Sequence, residues 1–314
     1  MKLSKKIARQ NSVQFSIGSF VRIMSKDKIL QNLDTLNKRD GCLFMDQMWE
    51  YCGKEFKVLK VVNNFFDEYR HKMYKTKSSL YLLEGLICNG TSETLNGHCD
   101  RSCYLLWHGD WLENTDGKNK HDDEEIKIAS LPESEQICSD LYPKDQFFCQ
   151  LTNIHEIVKK NSVLNEFFQY TANIISSIKT RIVIILRKIS GSTLAADAMA
   201  DRKKGSQAEL QVGDFVKIKS ASEIKKFLDK QGKYKGCGFA REMYVHCDKT
   251  YKVLKPVSYF YDEAKQKISK AKSIVILENV NCNGSFRLYP MRCDRMCFYF
   301  WRTEWLEKIE GTTT

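Results

Sequence analysis

One stretch occurs twice in this chain, and it constrains everything around it. The first copy runs from Cys88 to Glu113 and the second from Cys282 to Glu307. Both read C-N-G, a variable tip, C-D-R-x-C, then W-x3-W-L-E. Ten residues separate the first two cysteines in each copy, and three separate the last two. The tips share almost no residues while the cysteines keep register. That pattern points to cysteines held by something they bind, with a free loop between them.

The repeat reaches well beyond this stretch. Gly18-Ser19-Phe20-Val21-Arg22-Ile23 matches Gly213-Asp214-Phe215-Val216-Lys217-Ile218, and Gly41-Cys42 matches Gly236-Cys237. Met48 matches Met243, Cys52 matches Cys247, and Lys57-Val58-Leu59-Lys60 matches Lys252-Val253-Leu254-Lys255. These pairs share an offset of 195, and one deletion before C-N-G shifts the remainder to 194. The modules span 17–113 and 212–308, each long enough for a core of its own.

Within a module the patterning is mainly β. Gly-x-Phe-Val-x-Ile alternates as a short strand. Ser25–Leu36 and Ser220–Asp229 carry helical signals, with Ser220 or Ser222 as cap and Ile224, Phe227 and Leu228 as the apolar stripe. The segment after Gly41 or Gly236 reads as one or two helical turns. Phe56–Phe66 and Tyr251–Tyr261 alternate and are rich in Val and aromatics, hence strands. Leu80–Ile87 with Ile274–Val280, and Tyr104–Trp107 with Phe298–Trp301, complete the set. Short strands without a βαβ rhythm predict an α+β chain of two small SH3-like barrels or partly open sheets.

The rest of the chain differs in kind. Residues 114–135 are dense in Asp, Glu and Lys and read as a polar linker. Residues 136–190 form a hydrophobic middle segment, predicted as a strand around Phe147-Phe148-Cys149-Gln150 followed by helix, and too apolar to be only a tether. Residues 191–211 read as a second linker. Met1 to Gln14 is basic and polar, without the apolar stretch of a signal peptide. No apolar run approaches the roughly 18 residues of a spanning helix. A cytoplasmic location is the expectation, where 12 cysteines point to metal ligands or buried thiols more than to disulfides.

Each module offers four cysteines: Cys52, Cys88, Cys99 and Cys103 in the first, Cys247, Cys282, Cys293 and Cys297 in the second. Four thiolates suit tetrahedral zinc, which predicts two zinc ions per chain. An iron–sulfur cluster is the alternative occupant, and simple burial of the thiols is the plain one. Cys42 and Cys237 read as core. Cys149 with His155 is a candidate nucleophile and base, against which stands burial beside aromatics. Asp100 with Arg101, and Asp294 with Arg295, are expected to orient the thiolates. The tryptophan pairs Trp107/Trp111 and Trp301/Trp305 read as core packing more than a stacking platform. No phosphate-binding loop, nucleophile elbow or histidine-based metal motif is present.

Taken together, G-x-F-V-x-I-x-S, L-E-x-[LV]-x-C-x-G, C-x-R-x-C and W-x-x-x-W-L resemble an uncharacterised bacterial family with a tandem Cys-rich module. Phe-Cys-Gln-x-Thr in the middle segment looks like part of the same family. The resemblance implies the tandem architecture and no activity. His108 and Gly109 depart from the expected W-[RK]-E, where the second copy has Arg302 and Thr303. The reading is a metal-stapled tandem binding or scaffold protein with an unknown protein partner. A net charge of +11 keeps a nucleic-acid partner in view, provided Lys225, Lys226, Lys230, Lys233 and Lys235 share one face. A thiol- or metal-dependent enzyme is the third possibility.

Overall fold

The computed structural model describes residues 14–90, 98–115, 149–160, 171, 209–285 and 291–309. It is mainly β with few helices, and divides into two compact units. One is built around the first module and takes in residues 149–160 of the middle segment; the other is built around the second module.

In the first unit the strands are β1 (Phe20–Ile23), β2 (Lys38–Arg39), β3 (Cys42–Leu43), β4 (Glu55–Asp67), β5 (Lys72–Leu83), β6 (Trp107–His108) and β7 (Leu112–Asn114). Five of them form an antiparallel sheet in the order β6-β5-β4-β1-β7, and β2 pairs with β3 in a small hairpin. The long β4–β5 hairpin is Val-, Phe- and Tyr-rich, as a half-buried pleated surface requires. Its register slips between Val58 and Lys60 and again between Val62 and Asn64. Such bulges increase local twist and bend the strand. The edge strands β6 and β7 are separated only by the 3₁₀ turn Gly109–Trp111, so the chain leaves one side of the sheet and closes beside β1 on the other.

The second unit repeats this plan. Its strands are β8 (Phe215–Ile218), β9 (Lys233–Tyr234), β10 (Cys237–Gly238), β11 (Thr250–Asp262), β12 (Lys267–Leu277), β13 (Trp301–Arg302) and β14 (Leu306–Lys308). The sheet order is β13-β12-β11-β8-β14, with β9 paired to β10. The slips recur, between Val253 and Lys255 and between Val257 and Tyr259.

The core of each unit has one aromatic pattern. Trp107, Trp111, Trp301 and Trp305 are fully buried. Phe44 meets Trp107 and Trp111 edge-on at 6.0 and 5.1 Å, and Phe239 meets Trp301 and Trp305 at 5.8 and 5.1 Å. Edge-to-face pairs add to the burial of the rings themselves. The tryptophans are therefore core in both copies, and a stacking platform is excluded.

The predicted helices are shorter than expected. The first copy forms only Lys26–Leu30, the second Ala221–Phe227. Ser220 and Glu223 make a reciprocal capping box that satisfies two orphan N–H groups, whereas Ser25 makes no side-chain cap and Lys28 stands at the matching third position. Met48 and Met243 lie on 3₁₀ helices, Asp46–Tyr51 and Arg241–His246. The strands expected at Tyr104–Trp107 and Phe298–Trp301 begin as single bridges and pair fully only from Trp107 and Trp301. Of the middle segment, Cys149–Asn153 is turn rather than strand, and Ile154–Ile157 is helical. Phe147, Phe148 and most of the expected helix to Ile189 lie outside the described residues. Among those residues no helix is long and apolar enough to cross a membrane.

Candidate functional site

The two C-N-G turns have the same local geometry. The Gly90 N–H donates to Cys88 Sγ at 3.4 Å, and the Gly284 N–H donates to Cys282 Sγ at 3.2 Å. Gly90 and Gly284 have φ of 76° and 72°, a conformation that glycine adopts without steric cost. The Cys88 N–H donates to the Cys103 carbonyl and the Cys282 N–H to the Cys297 carbonyl, both at 2.7 Å. These bonds continue the isolated antiparallel bridges Ile87–Tyr104 and Asn281–Phe298, so each pair of cysteines lies on neighbouring, backbone-paired segments. One residue before the last cysteine, Ser102 and Met296 both take left-handed backbone, at φ 52° and 51°. Two chemically unlike side chains hold the same conformation, one that costs on the order of 1 kcal/mol or more. The loop is thus specified by its surroundings and not by its own residues.

The remaining expected ligands occupy other settings. Cys52 and Cys247 follow the 3₁₀ helices that carry Met48 and Met243. Cys293 is buried, and its N–H donates to the Gly284 carbonyl at 2.9 Å. Cys99 and Asp100 belong to the second unit. There the Cys99 sulfur receives the Tyr261 N–H at 3.4 Å, and the Asp100 carboxylate accepts the N–H groups of Ser258 and Tyr259 at 2.8 and 3.0 Å. Among the described residues, no three His, Cys, Asp or Glu side chains come together closely enough to hold a metal ion. The cysteines are brought together as pairs, not as quartets.

Burial raises the Cys52 thiol to about 11, against the opposing pull of Lys26. Burial also raises Cys247 and Cys282; at Cys282 the neighbouring Cys297 adds to the rise, and the Gly284 N–H and Tyr299 oppose it. A thiol raised in this way is protonated near neutral pH and is a poor nucleophile. Cys42 is fully buried and Cys237 half-buried, as packing residues. Cys149 sits in a turn with its sulfur facing the Leu151 N–H at 3.4 Å, and His155 is exposed.

The residue that sequence reasoning passed over is Gln150. It is 5% exposed, and its amide is fully used. Its oxygen accepts the Leu106 N–H at 2.8 Å, and its nitrogen donates to the carbonyls of Leu43 and Leu106, each at 2.8 Å. The side chain thus completes the backbone of two segments that no strand partner reaches. Behind it, Glu156 forms a 2.8 Å ion pair with Lys38, whose side chain is 6% exposed. Val158 bridges Thr76, and the Lys159 N–H donates to the Lys75 carbonyl at 2.7 Å. A Cβ on Gly41 would overlap the Glu156 backbone. The sequence signals were its place in the Phe-Cys-Gln-x-Thr stretch and a glutamine within an otherwise apolar run.

Arg302, which stands where the first copy has His108, is engaged within its own module. It forks onto Glu304 at 3.0 and 2.7 Å and lies over the Tyr234 ring. Burial alone would raise the Glu304 carboxyl, but hydrogen bonds from Arg302 and Lys235 outweigh it and draw it down to about 2. In the first module His108 takes this place, 3% exposed, with Nδ1 accepting the Asp110 N–H at 3.1 Å. Burial lowers the His108 imidazole below its ordinary value, against the pull of Asp110 and Asp40 and alongside that of Arg39.

No known protein family matches the chain, and neither does any curated protein or solved structure.

Two outcomes follow from this geometry. Gln150→Ala leaves the Leu106 N–H and the Leu43 carbonyl buried without partners, at about 1–3 kcal/mol each. Urea unfolding is expected to show a loss on the order of 3 kcal/mol, with faster tryptic cleavage at the exposed Lys159 and Lys160. For His108 the folded value lies below the unfolded one, so the unfolded state binds the extra proton. Its contribution to stability is present above the ordinary value of 6.5 and is lost as pH falls below it. His108→Asn keeps a cap acceptor and removes the titration. Its urea midpoint is expected to fall less between pH 7 and the acid side of that range than that of the parent chain.

Proposed function

We propose that this chain is a tandem binding protein built on two SH3-like modules, each stapled by zinc on its cysteines. The observation that carries the binding reading is Gln150: the first module seats a segment of its own chain by hydrogen bonds between the Gln150 side-chain amide and backbone groups of Leu43 and Leu106, with a half-buried ion pair beside them. A buried polar side chain that satisfies otherwise unpartnered backbone groups anchors such a segment, because leaving those groups unpaired is costly. The SH3-like reading is supported by the sheet order and by the single 3₁₀ turn between the two edge strands.

The zinc reading is supported by the repeated N–H to sulfur bonds, which favour the thiolate and orient it. Two cysteines sit on backbone-paired segments in each module, Cys88 with Cys103 and Cys282 with Cys297; in the second module Cys247 and Cys293 would complete a closed four-thiolate site. A closed site leaves no open position for chemistry. Protein purified without chelators is expected to contain close to two zinc equivalents per chain. Cys88→Ser and Cys282→Ser are each expected to lose about one equivalent and to render their own module protease-sensitive. Absence of zinc together with unchanged protease resistance in both variants would defeat the zinc reading.

A second reading, nucleic-acid binding, has one observation in its favour. Lys225, Lys226, Lys230, Lys233 and Lys235 are all exposed, on or just after the Ala221–Phe227 helix. Lys235 is held by Glu304 at 2.7 Å. Binding carried by these lysines would weaken steeply with salt, because counterion release drives it. Gel shifts with duplex and single-stranded probes at low salt test it, and the docking reading expects no shift.

A further inference from the structure

The second module keeps the seat that Gln150 fills in the first. Leu43, Met48 and Leu106 correspond to Gly238, Met243 and Phe300, and the local geometry matches at each point. Cys42 Sγ faces the Leu106 carbonyl at 3.8 Å, and Cys237 Sγ faces the Phe300 carbonyl at 3.7 Å. Met48 Sδ accepts the Met45 N–H at 3.2 Å, and Met243 Sδ accepts the Ala240 N–H at 3.3 Å. The Phe44 N–H donates to the Asn37 carbonyl and the Phe239 N–H to the Gly232 carbonyl, at 2.8 and 2.9 Å. The two seats are framed by the same bonds.

Their occupancy differs. In the first module Leu106 N–H is taken by Gln150; in the second, Phe300 N–H has no partner among the described residues. Lys38 is buried against Glu156, whereas its counterpart Lys233 is exposed. Gly41 lies against the Glu156 backbone, whereas Gly236 has the same left-handed backbone, φ 81° against 85°, and open space before it. Gly238 is exposed where Leu43 is buried. The second module therefore retains the lysine, the glycine and the backbone groups that hold a docked segment, and presents them to solvent.

We propose that the second module binds in trans a segment of a partner protein, with a glutamine that seats on Phe300 and Gly238. An acidic residue six positions later pairs with Lys233. The spacing is that of Gln150 and Glu156 in the segment docked on the first module. The proposal rests on reading the modules as docking domains. A single polar seat and one ion pair commit the occupant to this chemistry: the glutamine amide satisfies both the N–H and the carbonyl of one residue, which no acidic or basic side chain does.

The test uses the full chain and a synthetic peptide of residues 149–160 carrying Cys149→Ser, followed by calorimetry. One peptide is expected to bind per chain. Gln150→Ala in the peptide, or Lys233→Glu in the protein, is expected to weaken binding at least tenfold. A peptide with Glu156→Lys is expected to recover affinity for the Lys233→Glu chain, a charge exchange that misfolding does not mimic. Hydrogen exchange of the chain alone separates the two levels. Protected amides at residues 149–160 with no peptide binding overturn this inference and leave the docking reading standing; unprotected amides there overturn the docking reading itself. Binding that ignores Lys233→Glu, or that exposes the chain's own 149–160 segment, also overturns the inference.

Discussion

Each module depends on one packing arrangement: a phenylalanine ring set edge-on between two fully buried tryptophans. Phe44 and Phe239 follow the small β2–β3 and β9–β10 hairpins, while the tryptophans flank the 3₁₀ turns that join the edge strands. The rings therefore tie the hairpin to the end of the chain within each module. Removing a ring of this size from such a core costs about 3–5 kcal/mol, a large fraction of the stability of any domain. With the hairpin held in place, the Cys42–Phe44 backbone and the strand-like run into Trp107 form the walls of the Gln150 seat.

The same frame is put to two electrostatic uses. In the first module the position after the first core tryptophan is a buried histidine between Asp40 and Asp110. In the second it is Arg302, forked onto Glu304 and stacked on Tyr234. An arginine always carries charge and needs a carboxylate when buried, whereas a buried imidazole can stay neutral. The two copies have thus diverged from a proton-sensitive to a permanently charged cluster without altering the sheet order. The two copies differ likewise beside Gln150, where buried Leu43 corresponds to exposed Gly238.

The cysteine loops show how little of a local conformation depends on the residues inside it. Ser102 and Met296 share a left-handed backbone that neither favours, and the C-N-G turns share an N–H to sulfur bond despite unrelated tips. What recurs is the bridge between strands on either side and the position of the cysteines.

Much of this was written in the amino-acid order. Alternating Val and aromatic residues marked β1, β4, β8 and β11, and the constant offset between copies marked the tandem plan. The helix of the second copy was marked by its cap candidates Ser220 and Ser222, of which Ser220 caps it together with Glu223. The tryptophan pairs declared themselves as core through their spacing. Three matters were decided only in three dimensions. The strand after Trp111 and Trp305 is too short to register as a pattern, and it exists because β1 and β8 offer it a partner. Which cysteines lie on paired segments follows from strand register, which sequence spacing does not carry. Gln150 becomes a structural keystone because folding leaves the N–H and carbonyl of Leu106 and the carbonyl of Leu43 without strand partners. A buried backbone group must find a hydrogen bond wherever the chain can bring one.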